Sequence, residues 1–145
     1  MFAFLNILKR SLNGGANTIG FAKIAEERRA RGDVKKALKL CLDGVEKYPT
    51  YATGHYILAC CYLAEGQNAE AKNSLTEALR FDPHHISALS ELAGLYQVES
   101  DDGKALYYYH QALAVDPLNT RIAFLIKALS GEASPAVETV FDPIN

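Results

Sequence analysis

Proline stands at Pro49, Pro83 and Pro117, and sliding the chain against itself by that thirty-four-residue interval brings like residues into register over three copies. Ile24 falls on Leu58 and Leu92, Ala25 on Ala59 and Ala93, Ala37 on Ala71 and Ala105, and Gly44 on Ala78 and Ala112. Three further slots hold bulky residues: Phe21, His55 and Leu89; Arg28, Tyr62 and Tyr96; Cys41, Leu75 and Tyr109. A period of this length marks a stack of like supersecondary units, each burying its apolar face against its neighbours.

Within one copy the apolar residues recur every three or four positions, as in His55, Leu58, Ala59, Tyr62 and again in Ala71, Leu75, Ala78, Leu79. That spacing predicts two amphipathic helices per copy. Between them lie Gly32-Asp33, Gly66-Gln67 and Ser100-Asp101, where glycine can take up positive φ and aspartate can accept from free amides as a helix N-cap. The Tyr-Pro-Thr, Asp-Pro-His and Asp-Pro-Leu segments are expected to end one hairpin and to place proline in the first turn of the next helix. Ala25, Ala59 and Ala93 let the paired helices approach closely.

This pattern resembles the tetratricopeptide repeat, whose signature runs through a bulky residue, Leu-Gly/Ala, Tyr, Ala, an aromatic, Ala and Pro. The resemblance covers Thr18 to Asn119. It implies an all-α solenoid, a right-handed superhelix of antiparallel helix hairpins. The expected organisation is an N-terminal amphipathic helix with a glycine hinge over residues 1–17, repeats at 18–51, 52–85 and 86–119, a capping helix at 120–130 and a tail at 131–145.

The resemblance also implies where a ligand would bind, on the concave face lined by the first helix of each hairpin. Ile19, Ala22, Glu26 and Arg29 are expected there from the first copy, followed by Thr53, Tyr56, Cys60 and Leu63 from the second. The third supplies Ser87, Ser90, Gly94, Gln97 and Val98. Such a small-lined, mildly apolar groove suits an extended peptide or an amphipathic helix. Some members of the family grip the C-terminal Glu-Glu-Val-Asp of heat-shock chaperones with a clamp of Lys, Asn and Arg. The matching positions here are Ala22, Glu26, Ile57, Ser87 and Glu91, so no clamp residue is kept and two acids would repel a terminal carboxylate.

Composition excludes several classes. The chain is 145 residues long, 49% hydrophobic and 22% charged, which suits one domain with a continuous core. No apolar run approaches the roughly 20 residues of a bilayer span. The opening Phe2 to Leu8 is too short for a secretory signal and lacks a basic region before it. Cys41, Cys60 and Cys61 sit at helix-core spacing rather than in a disulfide pattern, and a reducing cytoplasm is expected. Net charge is −2, yet residues 1–50 carry ten Lys/Arg against five acids and residues 51–145 five against twelve. A solenoid would thus have a basic end and an acidic end, open to head-to-tail or antiparallel self-association that weakens with salt. Nucleic acid is not an expected partner, because the basic residues lack interleaved aromatics.

Candidates for chemistry are sparse. Cys60 and Cys61 point about 100° apart on a helix and cannot easily share a metal, with Cys60 toward the groove and Cys61 toward the hairpin interior. His55, His84, His85 and His110 lack close ligand spacing. There is no phosphate loop and no nucleophile elbow. No catalytic residue, cofactor or metal is therefore assigned. In Tyr107-Tyr108-Tyr109-His110, helical phase sends Tyr109 inward and leaves the others outside.

The ends depart from a plain array. Thr120 to Ser130 reads as a cap with Ala123 and Ile126 turned toward the third hairpin, while Phe124 and Leu125 leave a second apolar side open to self-association. Residues 1–12 project Met1, Phe4, Leu5, Leu8 and Leu12 along one stripe, ahead of the hinge Asn13-Gly14-Gly15-Ala16-Asn17. Three uses compete for it: a cap on the first hairpin, a helix filling a groove in cis or in trans, and a membrane-surface helix. The third is the weakest, since Lys9 and Arg10 alone give little attraction to lipid. The tail Phe141-Asp142-Pro143-Ile144-Asn145 echoes the repeat ends, and residues 131–145 read as a degenerate helix, a groove-filling peptide or disordered chain. The expected function is a peptide- or helix-binding adaptor, with a self-assembling scaffold as the alternative.

Overall fold

A computed structural model of the chain describes residues 20–132. They form seven helices and no strand: α1 (described over 20–30), α2 (Val34–Lys47), α3 (Ala52–Ala64), α4 (Asn68–Phe81), α5 (Ile86–Val98), α6 (Asp102–Val115) and α7 (Thr120–Leu129). Consecutive helices pack into antiparallel hairpins, α1 with α2, α3 with α4 and α5 with α6, and α7 lies against α6.

The helices are stopped and restarted by the same device in every copy. Asp33 N–H donates to Arg28 O at 2.9 Å and Gly32 N–H to Arg29 O at 3.0 Å. Gln67 with Tyr62 and Gly66 with Leu63 repeat those distances, as do Asp101 with Tyr96 and Ser100 with Gln97. This paired closure satisfies carbonyls that the helix end leaves free, and it requires a left-handed residue just past the helix. Gly32 has φ +86° and Gly66 has φ +74°, but the third copy places Ser100 there at φ +60°.

Two sequence expectations about the turns are corrected. The prolines do not enter a helix. Each occupies the second position of a four-residue turn, closed by Tyr51 N–H to Tyr48 O at 3.1 Å and by His85 to Asp82 and Asn119 to Asp116 at 3.2 Å. A φ locked near −65° is what that position needs. Aspartate caps also differ between copies. Asp101 accepts from Lys104 N–H at 3.1 Å, whereas Asp33 makes no such bond and pairs instead with Lys36 at 3.3 Å. His85 Nδ1 and Asn119 Oδ1 cap α5 and α7, each accepting an amide at 3.2 Å.

The core is three linked clusters, each made by three successive helices. Phe21, Ala22 and Ala25 of α1 meet Ala37 and Cys41 of α2 and Leu58 and Cys61 of α3. Ala59, Ala71, Leu75, Ala78, Leu92 and Leu95 join α3, α4 and α5. Leu89, Ala93, Ala105, Tyr109, Ala112 and Ile122 join α5, α6 and α7. The second helix of each hairpin is thus clasped between two first helices, which makes a continuous solenoid core. Ala25, Ala59 and Ala93 are wholly buried, as the repeat register requires.

Three placements differ from the helical phase read in sequence. Ile122, not Ala123, is the residue of α7 sealed against the third hairpin, with Leu125, Ile126 and Leu129 at the margin. Tyr108 is half-buried and stacks on Tyr96 at 5.6 Å rather than standing free. Ile24 occupies the slot of Leu58 and Leu92 but remains 46% exposed, against 5% and 1% for those two.

Candidate functional site

The first helices α1, α3 and α5, continued by α7, share one face. On α1, Glu26 and Arg29 form a two-point ion pair, Arg29 Nε and Nη2 donating to the carboxylate at 2.8 and 2.6 Å. The Arg29 hydrogen bond holds the Glu26 carboxyl below its ordinary value. Ala22 is buried in the core and offers no surface, which corrects its expected place in the groove. Ile19 lies outside the described residues.

On α3, Tyr56, Cys60 and Leu63 are half-buried, as is Thr53 at the helix start. The Tyr56 ring packs on His85 with centroids 4.8 Å apart. Burial, reinforced by the neighbouring Cys60 thiol and Glu91 carboxylate, pushes the Tyr56 phenol upward. Burial also pushes the Cys60 thiol up to about 11, against the opposing pull of Tyr56 and Arg29. Behind this face Cys41 of α2 and Cys61 of α3 act on each other, and that interaction, with burial, holds Cys41 protonated while favouring ionisation of Cys61. Of the two adjacent cysteines, Cys61 is buried and Cys60 only partly covered, the difference in direction that helical phase predicts.

On α5, Ser87, Gln97 and Val98 are exposed, and Ser90 and Gly94 are half-covered. Gly94 carries the consequence of its small size. A Cβ there would sit 3.9 Å from the Tyr109 hydroxyl, and that hydroxyl donates to Gln97 Oε1 at 3.4 Å. Tyr109, rooted in α6, therefore brings a polar group onto α5 past a residue with no side chain. Glu91 acts electrostatically on Tyr56, Cys60 and Tyr109, and Arg121 of α7 acts on Tyr109, so the charged groups extend beyond the sequence-derived set.

Phe124, expected at a self-association surface with Phe4, Leu5, Leu8 and Leu125, also shares a repeat slot with residues of the first helices. Counting back by thirty-four puts it in the slot of Ser90, Tyr56 and Ala22, and it stands 68% exposed. Extending the period to a fourth copy places it in that slot. Leu125 instead packs at the edge of the third core cluster. Phe4, Leu5 and Leu8 lie outside the described residues. Among the described residues no three His, Cys, Asp or Glu side chains gather to hold a metal, and no helix is long and apolar enough to cross a membrane.

Residues 52–85 match the tetratricopeptide repeat family, the same span as the second expected copy. The chain has the fold of a tetratricopeptide-repeat solenoid. Solved structures with this fold include the first repeat domain of Spaghetti (RPAP3) bound to the HSP90 peptide SRMEEVD, 15% identical with a TM-score of 0.73, over 79% of this chain and 91% of that one. The Yersinia enterocolitica type III secretion chaperone SycD, in complex with a peptide of the translocator YopD, is 15% identical with a TM-score of 0.74, over 82% and 96% of the two chains. The second repeat domain of human RPAP3, in complex with the HSP70 peptide SGPTIEEVD, is 16% identical with a TM-score of 0.72, over 80% and 97%. At these identities the repeat architecture is shared; the groove side chains are this chain's own.

Proposed function

We propose that this repeat protein is a non-enzymatic adaptor that holds a peptide or helix of a partner protein along the face of α1, α3, α5 and α7. The observation that carries this reading is the pairing of half-covered Tyr56 with exposed Phe124 in one repeat slot, separated by Ser90 and Gly94. Two aromatic anchors two periods apart, with a low floor between them, suit apolar side chains on an extended or helical ligand. Peptide complexes of three proteins with the same fold support the class of ligand.

The ligand differs in chemistry from an acidic C-terminus. Glu26 is already paired with Arg29, Glu91 adds negative charge beside Tyr56, and Ala22 and Ile57 are buried at clamp-matching positions. The preferred ligand is therefore apolar with neutral or basic flanks. Panning a phage-displayed peptide library against the chain tests this. Recovered peptides should lose about tenfold in affinity to Tyr56→Ala and to Phe124→Ala, and SRMEEVD should not compete. Peptides indifferent to both substitutions would place the binding surface elsewhere.

A further inference from the structure

The outer face of the first hairpin has an unusual internal reference, because the same face recurs twice in the chain with a cover on it. Ile24 corresponds to Leu58 and Leu92. Leu58 is sealed by Ala37 and Cys41 of the preceding second helix, α2, and Leu92 by Ala71, Leu75 and Ala78 of α4. Their exposures of 5% and 1% measure how complete that cover is, and the 46% at Ile24 measures what the first hairpin lacks among the described residues.

The pockets repeat the comparison in finer detail. Between the second and third hairpins, a pocket of about 160 Å³ has Leu89, Leu92, Tyr108 and Gln111 on one side. Thr76, Leu79 and Pro83, from α4 and the turn after it, close the other. Two periods earlier, the counterparts of the first four are Phe21, Ile24, Leu40 and Asp43, and these line a larger pocket of about 240 Å³ on the first hairpin. No described residue stands where Thr76, Leu79 and Pro83 stand. Counted back by two periods, those three positions fall at residues 8, 11 and 15.

We propose that residues 1–12 dock in cis on this face, as a helix laid where later copies place the second helix of the preceding hairpin. The apolar stripe Met1, Phe4, Leu5, Leu8 and Leu12 would cover Phe21, Ile24 and Leu40. Three observations converge on this occupant. The segment carries an apolar stripe on the side opposite Asn6 and Arg10, so it docks turned about its axis from the repeat register, in which the stripe's counterparts Ala69, Asn73, Thr76 and Arg80 are exposed. Gly20, the first described residue, itself lines the pocket, so the chain arrives at the rim. The seven residues 13–19 reach at most about 25 Å, enough to reverse direction and lay a helix back along α1 but short for the distant end of the solenoid. A membrane-surface role would leave this face bare, and insertion into the ligand groove would put the stripe on another side of α1.

The chain has no tryptophan, which makes the test direct. Phe4→Trp in the full chain should emit at the blue-shifted wavelength of a buried indole, at an intensity and position independent of protein concentration. Adding Ile24→Glu, or Leu40→Glu as a second variant, should shift that emission to the solvent-exposed value while far-UV circular dichroism shows the repeats still helical. Removing residues 1–13 should lower the Tm by about 5 °C in the native background and by less than about 1 °C when Ile24→Glu is present, the non-additivity expected of groups in contact. A solvent-like indole that ignores both substitutions, or fully additive Tm losses, would overturn the proposal. So would a blue shift that disappears on dilution, since that reports docking between copies.

Discussion

Gly44 lies beneath the ring of Phe21, so close that a Cβ on Gly44 would fall 2.4 Å from the ring carbons. The corresponding residues in later copies are Ala78 and Ala112, opposite His55 and Leu89. Gly54, whose counterpart in the third copy is Ala88, is held small by the same ring, its Cβ position lying 2.7 Å from Phe21 Cζ. Phe21 also stacks on Tyr48 at 6.2 Å and meets Tyr51 edge-on at 5.8 Å. The small size of Gly44 and of Gly54 thus has one steric cause, the Phe21 ring. Gly44→Ala is expected to cost about 1–3 kcal/mol by overpacking. In a Phe21→Leu background the sign should reverse, with alanine gaining about 0.5–1 kcal/mol from its better helix propensity. Urea unfolding of the four proteins of this cycle checks it, and equal effects of Gly44→Ala in both backgrounds would refute the steric account.

Ser100 holds the left-handed position that Gly32 and Gly66 hold in the other two hairpins. A side chain in that region costs about 1–2 kcal/mol that glycine avoids, offset in part by the greater freedom of glycine in the unfolded chain. Ser100→Gly should therefore stabilise by about 0.5–1 kcal/mol and raise Tm by about 2–4 °C. Gly66→Ser, the reverse exchange one period earlier, should do the opposite. Differential scanning calorimetry on both variants reads the two signs.

The period made the buried framework legible because the slots that repeat are the slots that pair helices. Leu58 and Ala59 illustrate it: both are buried where the register places them, and Leu58→Ala should cost about 2–5 kcal/mol and Ala59→Leu about 1–3 kcal/mol by thermal or urea denaturation. What the period could not show was a residue whose surroundings differ between copies. Ile24 shares a slot with two buried leucines yet has no described helix in front of it. Asp33 shares a slot with the capping Asp101, but its carboxylate turns to Lys36. The slot of Phe124 was legible in principle, since it stands one period after Ser90, but reading α7 only as a cap hid that correspondence.

The unequal caps give a sharp stability comparison. Asn119 and Asp101 each accept an amide in the first turn, at 3.2 and 3.1 Å, while Asp33 does not. Asn119→Ala and Asp101→Ala should each cost about 1 kcal/mol. Asp33→Ala should cost no more than about 0.5 kcal/mol, because its ion pairs with Lys36 and Arg28 are exposed to solvent. Chemical denaturation of the three variants checks the order, and a loss at Asp33 equal to the other two would show that its side chain caps α2 in solution.

The thiol of Cys60 gives the groove a pH signature. Burial raises it from 9.0 to about 11, so near neutral pH its thiolate fraction should be about a hundredfold below that of an unperturbed cysteine. Alkylation by iodoacetamide in the folded chain should be correspondingly slow, and a groove ligand that covers Tyr56 should slow it further. The same shift sets an alkaline stability limit. Above pH 9 the unfolded chain releases the Cys60 proton before the folded chain does, so the unfolded state binds fewer protons and stability falls with rising pH until about 11. Tyr56, also raised by burial, extends the decline to higher pH. Cys60→Ala should make the decline between 9 and 11 shallower, with buried Cys41 sustaining the remainder, and should not alter the acid side, to which Glu26 contributes. Its lowered value, set by the hydrogen bond from Arg29, contributes stability that is complete above the ordinary carboxylate range and is lost as pH falls through the folded value. Urea midpoints measured from pH 3 to 11 on the native chain, Cys60→Ala and Glu26→Gln separate the two limbs, and an alkaline limb unchanged in Cys60→Ala would show that the thiol is not held in its protonated form by the groove.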